Sequence, residues 1–252
     1  MIILFRRFRQ GLLTENKFSK YFIYAIGEIV LVMIGILLAL QVSNWNENSK
    51  QRAIEQDYLV SLKEEFKFNR LKLEKVVHTN NSNLENALKL SNLMGPETPK
   101  ISEKEFAALA VNMVNIEAQY RPNQAVIDEI ISSGKLGIFR SNKLKFGLSS
   151  GNSKLFKVRF QEQELQVIRN QVIAVMNAEG NAKRIVADGQ QKIVGIKESK
   201  FELGNLQLLQ SQALENVLID FILTSQYLDE GYYAELKKEI DQILVLIEDE
   251  IE

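Results

Sequence analysis

No cysteine occurs in the 252 residues, which excludes thiol catalysis, disulfides and thiolate metal sites. There is a single histidine, His78. Zinc sites want three or four ligands of His or Cys type. A di-iron bundle needs two Glu-x-x-His units and further carboxylates. His78 and Glu74, spaced i, i+4, are therefore read as a surface pair rather than a metal site. A serine or threonine nucleophile finds no histidine at a sensible place, and nothing marks a Ser–Lys arrangement. No Walker A or G-x-G-x-x-G sequence is present. These absences leave no catalytic constellation and no cofactor to expect. Proline is confined to Pro96, Pro99 and Pro122, and a chain with so few interior breaks suits long helices. The common residues Leu, Glu, Lys and Gln are good helix formers.

Charge of either sign is nearly balanced, at a net of −1, but unevenly placed. Residues 1–20 carry Arg6, Arg7, Arg9, Lys17 and Lys20 against Glu15, a balance of +4. With Glu28 counted separately, the chain from Gln41 onward sums to −4. A mildly acidic domain is a poor nucleic-acid binder, because phosphate contacts need a basic face. No nucleic-acid partner is expected.

The one long hydrophobic run is YFIYAIGEIVLVMIGILLALQV, residues 21–42. As a helix it is about 33 Å long at 1.5 Å per residue, enough for a hydrocarbon core of about 30 Å. Tyr21, Phe22 and Tyr24 mark one interface and Trp45 the other. A cleaved signal peptide fits badly: the stretch is too long, and Ala39-Leu40-Gln41 lacks the small residue needed at the cut. Basic residues precede the run, and the flank from Asn44 to Asp57 is mixed. The positive-inside rule then places the N-terminus in the cytoplasm and the rest outside, in the periplasm of a Gram-negative cell. The expected division is residues 1–20 as a cytoplasmic basic segment, 21–43 as the transmembrane helix and 44–252 as a helical periplasmic domain. Within the first segment, Leu4 or Phe5, Phe8 and Leu12 fall at helical spacing beside three arginines. That suits either a short helix lying on an anionic leaflet or an unstructured basic flank.

Glu28 stands out inside the apolar run, about 12 Å beyond Lys20 along a helix. An ionised carboxylate at that depth costs a few kcal/mol, so it is protonated, paired or turned toward protein. At 100° per residue, Gly35 and Ala39 lie within about 20° of it. Gly35 and Ala39 also form a small-xxx-small pair, which lets two helices approach closely. Three readings stand: a helix–helix contact with a polar lock at Glu28, Gly35 and Ala39, a place on a proton path, or a carboxyl that snorkels or neutralises beside small residues.

From Asn46 to about Leu93 the pattern predicts one long helix. With Leu59 as position a, the heptad seam is Leu59, Leu62, Phe66, Asn69, Leu73, Val76, Asn80, Asn83, Ala87 and Leu90. This 3.5-residue repeat holds three asparagines, which fix register between helices or lie at a solvated edge of a bundle. Gly95-Pro96 ends it. Ser102 with Glu105 is a capping box opening a helix to about Ile116. Asn123 is the expected N-cap of the next, with Val126, Ile127, Ile130 and Ile131 as its apolar face, and Gly134 takes the left-handed position after it. Ser141 or Asn142 caps a further short helix, and Lys154–Asn177 forms a separate one. Residues 179–204, with four glycines, read as a long loop or a small hairpin. Two helices close the chain, Leu206–Thr224 and Gln226–Glu252. The fold class is all-α: one transmembrane helix followed by an extramembrane helical bundle with a long first helix.

The segment Lys20–Lys50 resembles the N-terminus of an uncharacterised family of single-pass membrane proteins common in flavobacteria and related Bacteroidota. The pattern runs from Tyr24 to Glu47. A second stretch, Pro122-Asn123 followed by Ile130-Ile131-Ser132-Ser133-Gly134-Lys135-Leu136, is similar to that family's central motif. The resemblance implies topology and lineage, with Glu28 part of the anchor pattern, and no activity. The expected role is a membrane-anchored interaction or sensor-like protein whose partners are the lipid bilayer and a second copy or another membrane protein. An accessory subunit of a transporter or envelope complex is the alternative, with a membrane-tethered enzyme third.

Overall fold

A computed structural model describes residues 18–189 and 199–252 of the chain. The basic segment with Phe8 and Leu12, and the Ile193-Val194 run, lie outside the described residues. The chain divides into two compact units, Met1–Asp57 and Tyr58–Glu252. Every regular element among the described residues is helical.

Helix α1, Phe18–Ser91, is 74 residues long and runs through the apolar stretch without a break. Its continuity has a plain cause: between Gly35 and Gly95 there is neither glycine nor proline, so nothing lowers the helix propensity locally. In the first unit its apolar side chains from Ile26 to Val42 are exposed. Among the described residues it is the one helix long and apolar enough to cross a membrane.

The second unit is a helical bundle. Its elements after α1 are α2 (Glu103–Val114), α3 (Ala125–Ser132), a 3-10 turn (Lys135–Ile138), α4 (Asn142–Glu179) and α5 (Ala182–Gly189). A second 3-10 turn (Leu206–Gln210) leads to α6 (Gln212–Tyr227), a π-helical segment (Leu228–Tyr233) and α7 (Ala234–Glu250). All ten positions of the α1 seam are buried or half-buried, so the heptad pattern is satisfied within the chain. Leu59 and Leu62 join Ile130, Leu144, Leu148 and Ile247 in one core cluster. Leu73, Ala87 and Leu90 join Phe106, Phe221 and Tyr233 in a larger one.

The three seam asparagines are buried, not at a solvated edge. Each donates to a main-chain carbonyl of another element: Asn69 to Asn123 at 2.7 Å, Asn80 to Ser225 at 2.9 Å and Asn83 to Ile116 at 2.8 Å. They therefore fix where connecting segments cross α1, the register role of a buried amide turned inward.

Several boundaries differ from the sequence reading. The expected short helix after Ser141 and the helix from Lys154 are one element, α4. Gly147 and Gly151 should each weaken a helix by about 1 kcal/mol relative to alanine, yet packing overrides this. A Cβ on Gly147 would stand 3.3 Å from Ile243, so the glycine admits α7 close to α4. The expected loop or hairpin at 179–204 is helical at α5, with Ile185 buried. There α5 packs on α2 so tightly that a Cβ on Gly189 would fall 2.6 Å from the Ala107 carbonyl oxygen. The two closing helices are joined through the π segment, and Leu206 belongs to the 3-10 turn before α6.

Candidate functional site

Glu28, Gly35 and Ala39 lie together along one stripe of α1, about 16 Å from end to end by helix rise. All three are exposed, as is every residue from Ile26 to Lys50. A Cβ on Gly35 would meet no other atom within 4 Å. The stripe is thus an uncovered face carrying one carboxylate.

The second unit contains three carboxylates taken out of water. Glu65 of α1 reaches the start of α3, accepting from the Val126 N–H at 2.9 Å and the Ile127 N–H at 3.4 Å. Beside it, Asn69 accepts from the Asn123 N–H at 2.7 Å. The N-cap predicted at Asn123 is displaced: the helix begins at Ala125, Gln124 makes no capping bond, and Glu65 serves the free N–H groups instead. A negative charge there also complements the helix dipole. No local pattern signals this, since the cap comes from 61 residues away.

Glu162 of α4 lies on the apolar face between Val158 and Leu165 and is buried. Its Oε1 accepts from the Tyr120 N–H at 2.7 Å and from the Tyr233 hydroxyl at 2.7 Å. Tyr233 is fully buried and also lies 3.3 Å from the Ala118 carbonyl. Burial raises the Glu162 carboxyl above the ordinary carboxylate range, opposed by these two hydrogen bonds and by Arg159 and Arg121. Burial likewise raises the Tyr233 and Tyr120 hydroxyls. Both tyrosines are thus neutral donors or acceptors across the working pH range. The π segment ends at Tyr233. Sequence offered a signal for Glu162: a lone carboxylate in a stripe otherwise apolar at helical spacing.

Glu239 of α7 is the third. One oxygen pairs with Lys154 at 2.8 Å, while Oε2 is buried with no protein donor in reach. It borders a cavity of about 70 Å³ that Glu65, Asn69, Gly147 and Gly151 also line. That space is roomy enough for water, and water hydrogen-bonding to Oε2 is the chemistry it fits. His78 is exposed, and its neighbour Glu74 turns to Arg70 at 3.8 Å and Lys237 at 3.6 Å. Among the described residues no three His, Asp or Glu side chains gather as metal donors. Glu65 and Glu162 pin a helix start and a loop through main-chain N–H groups, while Glu239 bridges α7 to Lys154 of α4.

No curated protein and no solved structure matches the chain. Residues 28–177 match a family of unknown function, DUF6090, and the chain belongs to that family.

Proposed function

We propose that this protein is a single-pass, membrane-anchored interaction protein of the bacterial inner membrane, sensor-like in design. Its N-terminus lies in the cytoplasm and its helical bundle in the periplasm. It associates with itself, or with another membrane protein, through Glu28, Gly35 and Ala39. The observation that carries this reading is the uncovered stripe on α1, where a carboxylate lines up with two small residues in an apolar helix. Interhelical contact shields such a carboxylate from lipid and supplies it a hydrogen-bond partner.

Native pull-down of a tagged chain from membranes, alongside an untagged copy, tests the reading. Recovery of the untagged copy is the expected result, and it weakens for Glu28→Leu and Gly35→Ile but persists for Glu28→Gln. Recovery of one defined, larger membrane protein in its place indicates an accessory subunit. Recovery of neither would contradict the interaction role.

A further inference from the structure

The longest stretch free of acidic residues lies within the bundle. From Ile130 to Gln161 there are seven basic residues and no aspartate or glutamate. That +7 leaves −8 for the rest of a chain whose net charge is −1. The stretch includes the first half of α4, whose inner face is fixed by Leu144, Leu148, Leu155 and Val158 in the core. Its outer face is unusual: Phe146, Phe156 and Phe160 are 74 %, 72 % and 55 % exposed. At 100° per residue these three fall within about 80° of arc, along about 21 Å of helix. Lys143 and Lys157 flank the arc on one side, and Lys145 and Arg159 on the other. Small hydroxyl residues, Ser149 and Ser153, fill the space between the rings.

An exposed aromatic stripe bordered by cations on both sides is the pattern of a helix that lies in a lipid headgroup layer. Rings enter the acyl boundary while the long basic side chains reach up to phosphates. We propose that this face of α4 docks on an anionic lipid surface. Charge complementarity selects that occupant: Lys143, Lys145, Lys157 and Arg159 border the rings, within a stretch of α4 that carries no aspartate or glutamate of its own, and they attract acidic headgroups. Nucleic acid would share the cations, but three phenylalanines on one helical arc match an acyl boundary better than a stack of bases. This inference does not depend on the contact at Glu28.

The test uses the full chain in vesicles. Trp45 is the sole tryptophan, so Trp45→Phe with Phe156→Trp places a single indole on the stripe. In phosphatidylcholine vesicles containing phosphatidylglycerol, its emission should shift to the blue and be quenched by acyl-chain bromine labels. Both effects should fade without the anionic lipid or in high salt. Adding Lys143→Gln and Lys157→Gln should move the docking equilibrium about thirtyfold, about fivefold per cation, with helix content by circular dichroism unchanged. An indole that is never quenched, or is quenched equally in neutral lipid, overturns the proposal. So does an emission change that follows protein density or added oligonucleotide instead of lipid charge.

Discussion

Replacing Glu162 separates what its carboxylate does as an acceptor from what it does as a charge. In the native chain Oε1 serves two buried donors, the Tyr120 N–H and the Tyr233 hydroxyl. Glu162→Leu removes that acceptor. The Tyr233 hydroxyl can turn to the Ala118 carbonyl at 3.3 Å, so the Tyr120 N–H is the group left without a partner. An unsatisfied buried donor costs about 1–3 kcal/mol, and Glu162→Leu should lose about that much stability near neutral pH. Glu162→Gln keeps the acceptor oxygen and removes the buried charge. The sign of the pH effect follows from burial, which raises the native carboxyl above its ordinary 4.5. A raised carboxyl favours the folded state while protonated. Its contribution is therefore fully present below the unfolded value and is lost as pH rises through the native one. Native protein should lose stability relative to Glu162→Gln across that window, and the gap should then stay constant. The assay is urea unfolding of the full chain in mild detergent, followed by circular dichroism, for the three proteins at a series of pH values. If the native protein instead gains on Glu162→Gln as pH rises, the hydrogen bonds from Tyr120 and Tyr233, with Arg159 and Arg121, outweigh burial and the expected sign is wrong.

Three further outcomes are expected. Glu65→Ala removes the long-range cap of α3 and should destabilise the bundle by about 1 kcal/mol, read as a shift in the unfolding midpoint. Hydrogen exchange should be fastest to respond at Val126 and Ile127. Gly189→Ala places a methyl 2.6 Å from the Ala107 carbonyl oxygen and should cost about 1–3 kcal/mol through overpacking, whereas Gly151→Ala, with open space at its Cβ, should be neutral or stabilising by about 0.5–1 kcal/mol. A reporter active only in the periplasm, fused after Glu252, should be active; labelling of the C-terminus from the cytoplasm would reverse the orientation.

Local signals in the sequence translated directly. The Ser102–Glu105 capping box is present, with the Glu105 carboxyl held low chiefly by the Ser102 N–H. Gly134 adopts φ +71° after α3. The heptad seam of α1 is internal from Leu59 to Leu90. What was not legible depends on residues far apart in the chain. The α3 cap comes from Glu65, and α4 survives its glycines because α7 packs on Gly147. The junction before α5 shows the same thing: Glu103 accepts from the Asn205 N–H at 3.0 Å, and Asn205 in turn accepts from the Asn181 N–H at 2.7 Å. Asn181 then caps α5 by accepting from the Arg184 N–H. No window of residues 179–204 alone contains Glu103. The basic stretch around α4 was in the sequence throughout, but averaging charge over residues 41–252 cancels it against the acidic remainder. The Glu28, Gly35 and Ala39 stripe was legible as geometry, because helix phase follows from spacing alone.

Absence of cysteine makes that stripe directly measurable. Single substitutions to cysteine from Leu31 to Val42, expressed in native membranes and oxidised, report which helix face meets a second copy. Cross-linked dimers should peak at Gly35→Cys and Ala39→Cys, with a minimum at Leu37→Cys on the opposite side, and the whole pattern should be lost when Glu28→Leu is added. A flat profile, or a peak centred on Leu37, would contradict a contact through that stripe.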